Sequence, residues 1–291
     1  MSEVAVARHS APVRQRSRAT NAGAALLTIL TVICAAVWAF PLYWALVTSF
    51  KSETDVVSKD FALWPQHPTL SAYEYMLTHS NLLIWYLNST IIAVSATVLV
   101  VFMAACCGYA LSQLKFPGRT LLWWTILASF MVPVPALIVN HFIIMAGVGF
   151  INTYQGVVLP QLIAPVTIII YKQFFDSVPR DFREAAVMDG ANEFQLLFWM
   201  FLPMNWGVTT ALAIVTFIGV WNNFLWPFLA TKTEDMMPVT VGIVAVQDAF
   251  GVYYAKLLAG AVLAGLPVAL AYLIFQRRVT QAITLSAGIK G

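Results

Sequence analysis

The chain has 291 residues, of which 60% are hydrophobic and 10% are charged, and its mean hydropathy is +0.79. Soluble globular domains carry about 25% charged residues, so this composition excludes a water-soluble fold and predicts a protein that faces membrane lipid. The formal net charge of +3 is too small to indicate nucleic-acid binding.

Uncharged apolar runs recur along the chain, and a helix needs about 20 such residues to cross the hydrocarbon core. The first run is about twice as long as the apolar core of a secretory signal, which favours an uncleaved span over a signal peptide. The longest run is divided near Gly147 and Asn152, which are turn-forming residues. The sequence therefore predicts an all-α, polytopic membrane protein with six transmembrane helices, near residues 20–49, 83–113, 120–143, 155–175, 206–230 and 256–276.

The basic residues lie mainly on one side of this arrangement. If the N-terminus is cytoplasmic, 12 of the 16 Lys and Arg residues lie in inside segments and the other four in outside segments. Cytoplasmic loops carry the excess of Lys and Arg, so both termini are predicted to be cytoplasmic. This gives a tail of residues 1–19, a transmembrane domain of residues 20–276 and a tail of residues 277–291. A loop of residues 177–205, which we call the elbow loop, is then also cytoplasmic.

The predicted spans lack the groups that other membrane activities need. No Asp, Glu, Lys or Arg lies at mid-depth, where an ion-coupled transporter would use them, and His141 lies near a predicted outer end. The chain has no Gly-Lys dipeptide, hence no phosphate-binding loop, and no metal-ligand or nucleophile pattern. Its three cysteines lie in apolar runs and are expected to pack there. A secondary transporter and a membrane-embedded enzyme are therefore disfavoured alternatives.

Polar groups do occur at depth, in the fifth predicted span. Asparagines in hydrocarbon must face a partner helix or a wet cavity, and aromatic faces beside amides suit an uncharged polyhydroxylated ligand. The segment is therefore either a helix-packing surface or the lining of a solute pathway, and its residues are Trp221, Asn222, Asn223, Phe224 and Trp226. Prolines that are predicted to kink or interrupt the spans are Pro133, Pro135, Pro165, Pro227 and Pro267.

The elbow loop contains the segment EAAVMDGANEFQLLFWMFLP, residues 184–203. Ser177 is predicted to cap a short helix, and Gly190 to supply the left-handed turn that ends it. Asn192 with Gln195 three residues later has the pattern of a capping box, which starts a second helix. The loop is thus expected to form two short surface helices joined by a glycine corner. Physics alone leaves open whether they form a docking surface or an ordinary amphipathic loop.

This segment resembles the EAA–G–LP loop of ABC importer permeases. The residues that match are Glu184, Ala185, Ala186, Asp189, Gly190, Leu202 and Pro203. Shorter matches indicate the carbohydrate-uptake branch, similar to the smaller maltose-type permease: YAL at 109–111, KFPGR at 115–119, NTY at 152–154, WN at 221–222 and GIKG at 288–291. The resemblance covers nearly the whole chain from about residue 20.

The resemblance implies the ABC type I importer fold, in the bacterial inner membrane, with the elbow loop as a coupling helix that docks on a cytoplasmic ATPase. Glu184 would make a polar contact there, and a tail segment with Gly288, Lys290 and Gly291 would also face the ATPase. The implied partners are a second homologous permease, two ATPase subunits, a periplasmic solute-binding protein and a sugar-type solute. ATP and Mg would bind the ATPases, so this chain is expected to hold no cofactor or metal and to catalyse no reaction.

The chain departs from the family pattern at three positions. Met200 stands where isoleucine is common, Trp206 where a second proline is frequent, and Asn223 where many relatives carry glutamate. The last difference means that no role of that acid can be transferred to this chain. The elbow loop would look similar in a permease for a non-sugar solute, which is the main alternative.

Overall fold

The structure, a computed structural model, describes residues 18–58, 62–246 and 253–286. These residues form helices and contain no β-strand, so the predicted all-α fold is confirmed. Helices α1 (Arg18–Ser49), α4 (Leu82–Gln113) and α15 (Tyr254–Ser286) each contain one continuous helical stretch that is long and apolar enough to cross a membrane. The short helices α2 (Glu53–Val56) and α3 (Ser71–Thr78) lie between α1 and α4.

The middle of the chain consists of shorter helices that meet at sharp bends. The chain bends by 97° between Arg119–Phe130 and Val134–Gly147, by 49° between Tyr154–Leu162 and Pro165–Asp176, and by 85° between Glu193–Met204 and Trp206–Trp221. If each bent pair is one span, the described residues contain up to six spans. The helices in this part are α5 (Arg119–Phe130), α6 (Ile138–Gly147), α7 (Tyr154–Val158), α8 (Pro165–Asp176), α9 (Arg180–Met188), α10 (Glu193–Gln195), α11 (Leu202–Met204), α12 (Trp206–Trp221), α13 (Leu225–Ala230) and α14 (Val239–Ala245).

Short turns of other helix types lie between these helices. They are 3-10 turns at Val134–Leu137, Leu159–Leu162 and Glu234–Met236, and a π-helical turn at Leu196–Phe201.

The predicted interruptions at Pro133, Pro135 and Pro165 are confirmed, because the third and fourth spans bend there, where the missing N–H groups interrupt the helix. The fifth, predicted for residues 206–230, ends as a helix at Trp221 and resumes as α13. Pro267, in contrast, lies inside the continuous helix α15.

Helix α4 lies at the centre of the packing and contacts α8, α12 and α14. At Gly108 its backbone approaches α8 so closely that an added Cβ would lie 2.7 Å from the Cβ of Tyr171. One cluster of buried residues joins α4, α8 and α12 to the π-helical turn through Tyr109, Phe175 and Phe201. The elbow loop is therefore connected directly to the packed centre of the protein.

Candidate functional site

The elbow loop begins immediately after α8. The prediction that Ser177 caps the following helix is wrong, because the Ser177 hydroxyl instead donates a 2.6 Å hydrogen bond to the carbonyl of Phe174 at the end of α8. Helix α8 extends to Asp176, so the free carbonyls of its last turn are the nearest acceptors. Helix α9 then begins after Pro179, which supplies no side-chain cap.

The corner of the elbow loop has the predicted local structure. Gly190 has φ +87°, the left-handed region. The N–H groups of Gly190 and Ala191 donate to the carbonyls of Val187 and Ala186, both at 3.0 Å, which is a Schellman ending of α9. The capping box is confirmed as well, because the side chains of Asn192 and Gln195 each accept a hydrogen bond from the other's backbone N–H.

The two faces of the elbow loop differ. Its inner face packs on the buried cluster around Tyr109 through the small side chains Ala186 and Ala191. On its outer face Met188 is 86% exposed and Phe182 is 52% exposed, while Ala185 leaves room between them. The outer face thus combines exposed apolar and exposed charged side chains.

Glu184 lies on this outer face and is exposed. It makes no hydrogen bond or ion pair with any residue that the structure describes. The neighbouring Arg183 forms its ion pair with Glu193 instead, at 2.6 Å. Glu184 and Arg180 border a polar cavity of about 380 Å³ that is also lined by residues from the ends of α4 and α8. The carboxylate of Glu184 is thus available to a partner.

The remaining predicted elbow residues lie at the corner and at the exit of the loop. Asp189 is the last residue before the glycine corner, and its backbone N–H donates to the carbonyl of Ala185. Leu202 packs on the buried cluster, while Pro203 is exposed within α11, just before the 85° bend. The tail residues Gly288, Lys290 and Gly291 lie outside the described residues.

The five predicted pathway residues do not lie together. Trp221 is buried, and its indole N–H donates to the carbonyl of Ala264 in α15, at 3.2 Å. The rings of Tyr86 and Phe217 lie beside it. The structure therefore favours the helix-packing interpretation for Trp221. Asn222, at the exposed C-cap of α12, lines no described cavity.

Two of the five residues, Asn223 and Trp226, border a cavity of about 480 Å³. The amide of Asn223 donates to the side-chain carbonyl of Gln161 at 2.9 Å. Trp226 is held by hydrogen bonds from its indole N–H to two backbone carbonyls of α7, and the ring of His141 meets it edge-on. Phe224 does not line this cavity and stacks on Phe228 instead.

Three interruptions of the helices converge on this cavity. Its wall includes Pro135 from the 97° bend, Ile163 from the 49° bend and Leu225 from the break between α12 and α13. Non-helical backbone at membrane depth is tolerated where it is buried in protein or lines a water-filled cavity. We missed Gln161 and His141 as wall residues because they lie in other predicted spans. The signal for Gln161 was a lone amide between two prolines at 160 and 165.

The segment between the fifth and sixth predicted spans, residues 231–255, is predicted to lie on the outer side, and its first part, residues 231–238, is fixed to the ends of other helices. The side-chain carbonyl of Asn152 accepts hydrogen bonds from the backbone N–H groups of Lys232 and Thr233. The amide of Asn88 donates to the carbonyls of Asp235 and Met237. The backbone of this first part is therefore held firmly, while the side chain of Asp235 stays exposed.

Comparison with known proteins assigns the family. Residues 101–284 match the family described as binding-protein-dependent transport system inner membrane component. The chain belongs to this family. The resemblance inferred from the elbow loop is thereby confirmed, and the protein is an integral membrane protein of the bacterial inner membrane.

The relatives agree with this assignment over most of their length. The diacetylchitobiose uptake system permease protein NgcG of Streptomyces coelicolor is 34% identical, over 90% of this chain and 87% of NgcG. The arabinooligosaccharides transport system permease protein AraQ of Halalkalibacterium halodurans is 31% identical, over 91% of this chain and 96% of AraQ. The predicted resemblance to the carbohydrate-uptake branch is thus confirmed.

A solved structure supports the fold. A chain from the crystal structure of a bacterial ABC transporter involved in the import of the acidic polysaccharide alginate superposes with a TM-score of 0.79. The match covers 90% of this chain and 98% of that chain, at 22% identity. The predicted ABC importer fold is confirmed. The side of the membrane on which the termini lie stays a prediction.

Proposed function

We propose that this family member is the permease subunit of a sugar-type ABC importer, whose elbow loop docks on a cytoplasmic ATPase. The observation that carries the proposal is the two-faced elbow loop. Its inner face is joined to the packed centre of the protein, and its outer side exposes Glu184 as well as the apolar side chains Phe182 and Met188. A rigid elbow loop of this kind can transmit the movement of a partner protein to the transmembrane helices.

The partners follow from this proposal. Two cytoplasmic ATPase subunits would bind ATP and Mg, and this chain would hold no cofactor and catalyse no bond chemistry. A second, homologous permease would complete the solute pathway. It would also cover part of α1, which exposes apolar side chains such as Trp38, 83% exposed. A periplasmic solute-binding protein would dock on the predicted outer side, where residues 231–238 form a fixed, acidic edge.

The cavity bordered by Asn223, Gln161 and Trp226 is proposed as this chain's part of the pathway. Its amides offer donors and acceptors to hydroxyl groups, and its tryptophan and histidine rings offer apolar edges. Its volume of about 480 Å³ can hold a small saccharide unit. Trp221 and Phe224 are not part of the proposed pathway wall.

A sugar or sugar derivative is the proposed solute, because several relatives that match over most of their length are named for saccharides or saccharide derivatives. They include NgcG and AraQ, as well as a permease for sulfoquinovosyl glycerol from Agrobacterium fabrum that is 31% identical. A permease for another solute class is the second candidate, since the elbow loop would be similar there.

Uptake in a strain that lacks this chain tests the proposed function. Labelled disaccharides, polyols, glycerol-linked sugars, sulfonated sugars and peptides are supplied to the strain, with and without the restored gene. We expect restored uptake of a saccharide, which is lost when ATP is depleted and persists when a protonophore is added while ATP is maintained. Restored uptake of peptides alone would favour the second candidate. Saccharide uptake that survives ATP depletion but not the protonophore would favour an ion-coupled transporter.

A further inference from the structure

A chain of three side chains ties the elbow loop to the central helix α4. Arg183 in α9 donates from its Nη2 atom to Oε1 of Glu193, at 2.6 Å. Tyr109 in α4 donates its hydroxyl hydrogen to Oε2 of the same carboxylate. Glu193 is the first residue of α10 and lies beyond the glycine corner. One carboxylate therefore links both helices of the elbow loop to a transmembrane helix.

The Tyr109 end of this chain is fixed in position. Its side chain is 3% exposed, and its ring meets the rings of Phe175 and Phe201 edge-on, with centroids 6.3 and 5.2 Å away. These aromatic contacts come from α8 and from the π-helical turn, so the hydroxyl is held at one point relative to three elements. Glu193 lies at a helix N-terminus, where a negative charge is favoured.

The other contacts of the elbow loop with the centre are of a different kind. The apolar contacts lie in the buried cluster and come from Ala186, Ala191, Leu196, Leu197, Phe201 and Leu202. Such close packing transmits displacement between whole elements, without tying one residue to one partner. Hydrogen bonds between charged and polar groups are short and directional, and a displacement of one partner moves the other.

We propose that Glu193, together with Arg183 and Tyr109, is the joint that transmits a displacement of α9 to α4. This inference rests on the proposed function, because it assigns the step between ATPase docking and the movement of the helices. Glu184 and Glu193 then have separate tasks: Glu184 faces outward to the partner, whereas Glu193, whose side chain is 44% exposed, is a positioning residue bonded to Tyr109. Since α4 packs along α8 and α12, its displacement would reach the cavity walls.

The test measures the solute transported per ATP hydrolysed by the complete complex in liposomes. Tyr109→Phe removes the hydroxyl and keeps the packed ring, and Glu193→Gln keeps the shape and removes the charge. We expect each variant to lower the ratio of transport to hydrolysis about fivefold or more. The double variant should be no worse than the poorer single variant, because both remove the same link. Arg183→Lys, which keeps the charge, should retain more of the ratio than Arg183→Ala.

Lys172→Met is the matched control. It breaks an ion pair that is also 2.6 Å long but lies within α8, between Lys172 and Asp176. The ratio should stay unchanged in this variant. An unchanged ratio in both Tyr109→Phe and Glu193→Gln, at normal abundance, would overturn the proposed joint. So would a fall in transport and hydrolysis by the same factor, since that indicates a purely structural role. A wild-type complex without ATPase would instead overturn the proposed function.

Discussion

Replacing Gly190 with valine is expected to disconnect ATP hydrolysis from solute uptake. Gly190 has φ +87°, a conformation that a β-branched residue adopts only with strain of about 1–3 kcal/mol. A Cβ at this position would meet no heavy atom within 4 Å, so the effect comes from the backbone conformation and not from a clash. A strain of about 1–3 kcal/mol lowers the equilibrium constant between the native corner and other loop conformations about 5- to 150-fold. Uptake should fall by up to that factor while hydrolysis continues.

Gly190→Asn is the control for this prediction. Asparagine adopts the left-handed region far more readily than valine. Its side chain is larger than that of alanine, so this variant still adds bulk at the corner. We expect Gly190→Asn to retain most of the uptake, measured in the same cells at matched abundance. Equal losses in the asparagine and valine variants would show that bulk, rather than the corner conformation, is responsible. Normal uptake in Gly190→Val would contradict the proposed role of the corner.

Replacing Gly219 with tryptophan is expected to abolish uptake by filling the cavity. Gly219 lies in α12 on the wall of the cavity of about 480 Å³, and a Cβ there would meet no atom within 4 Å. An indole at this position has space to extend across the pathway toward Asn223 and Gln161. Since Gly219 does not belong to the elbow loop, ATPase binding should be unaffected. Uptake of the labelled solute and co-purification of the ATPase are the two measurements.

Gly207→Trp is the matched control in the same helix. A Cβ at Gly207 also meets nothing within 4 Å, but Gly207 does not line the cavity. The control should therefore transport at a rate similar to that of the unchanged protein. If Gly219→Trp transports normally at equal abundance, the cavity is not the solute pathway. If both variants lose uptake, bulk anywhere on α12 is harmful, and the result gives no support to the cavity.

Local features of the elbow loop could be predicted from the sequence because their causes lie within a few residues. The capping box of Asn192 and Gln195 needs only a spacing of three, and the Gly190 corner needs only a residue that tolerates positive φ. Ser177 shows the limit of this approach. Whether it caps one helix or ends another depends on where α8 stops, and a single sequence leaves helix ends uncertain by a few residues.

The joint at Glu193 could not be predicted, because its partners are distant in the chain. In the sequence Glu193 is only an acidic residue in a first helical turn, which is common in any helix. Tyr109 is separated from it by 84 positions, and only the packing of α4 against the elbow loop brings them together. The sequence contained both residues but no signal that they meet.

The pathway prediction failed in part for a related reason. Trp221 and Trp226 belong to one apolar segment. If that segment is taken as one unbroken helix, the sequence does not show which of the two faces the packed centre and which faces a cavity. The helix ends at Trp221 and resumes at Leu225, so Trp221 points into the packed centre and Trp226 reaches the cavity. Prolines and asparagines indicated that breaks would occur. Their convergence on one cavity is a tertiary feature.

Co-purification from detergent-solubilised membranes tests the central claim most directly, by comparing the unchanged protein with Glu184→Lys. The control is Glu74→Lys, which makes the same change at an exposed glutamate in α3, on the predicted outer side. Our account predicts that an ATPase subunit co-purifies with the unchanged protein and with Glu74→Lys, and that little or none does so with Glu184→Lys. Equal amounts of ATPase with all three proteins would contradict the docking role of Glu184. Absence of any ATPase from the intact, unchanged protein would contradict the proposed coupling as a whole.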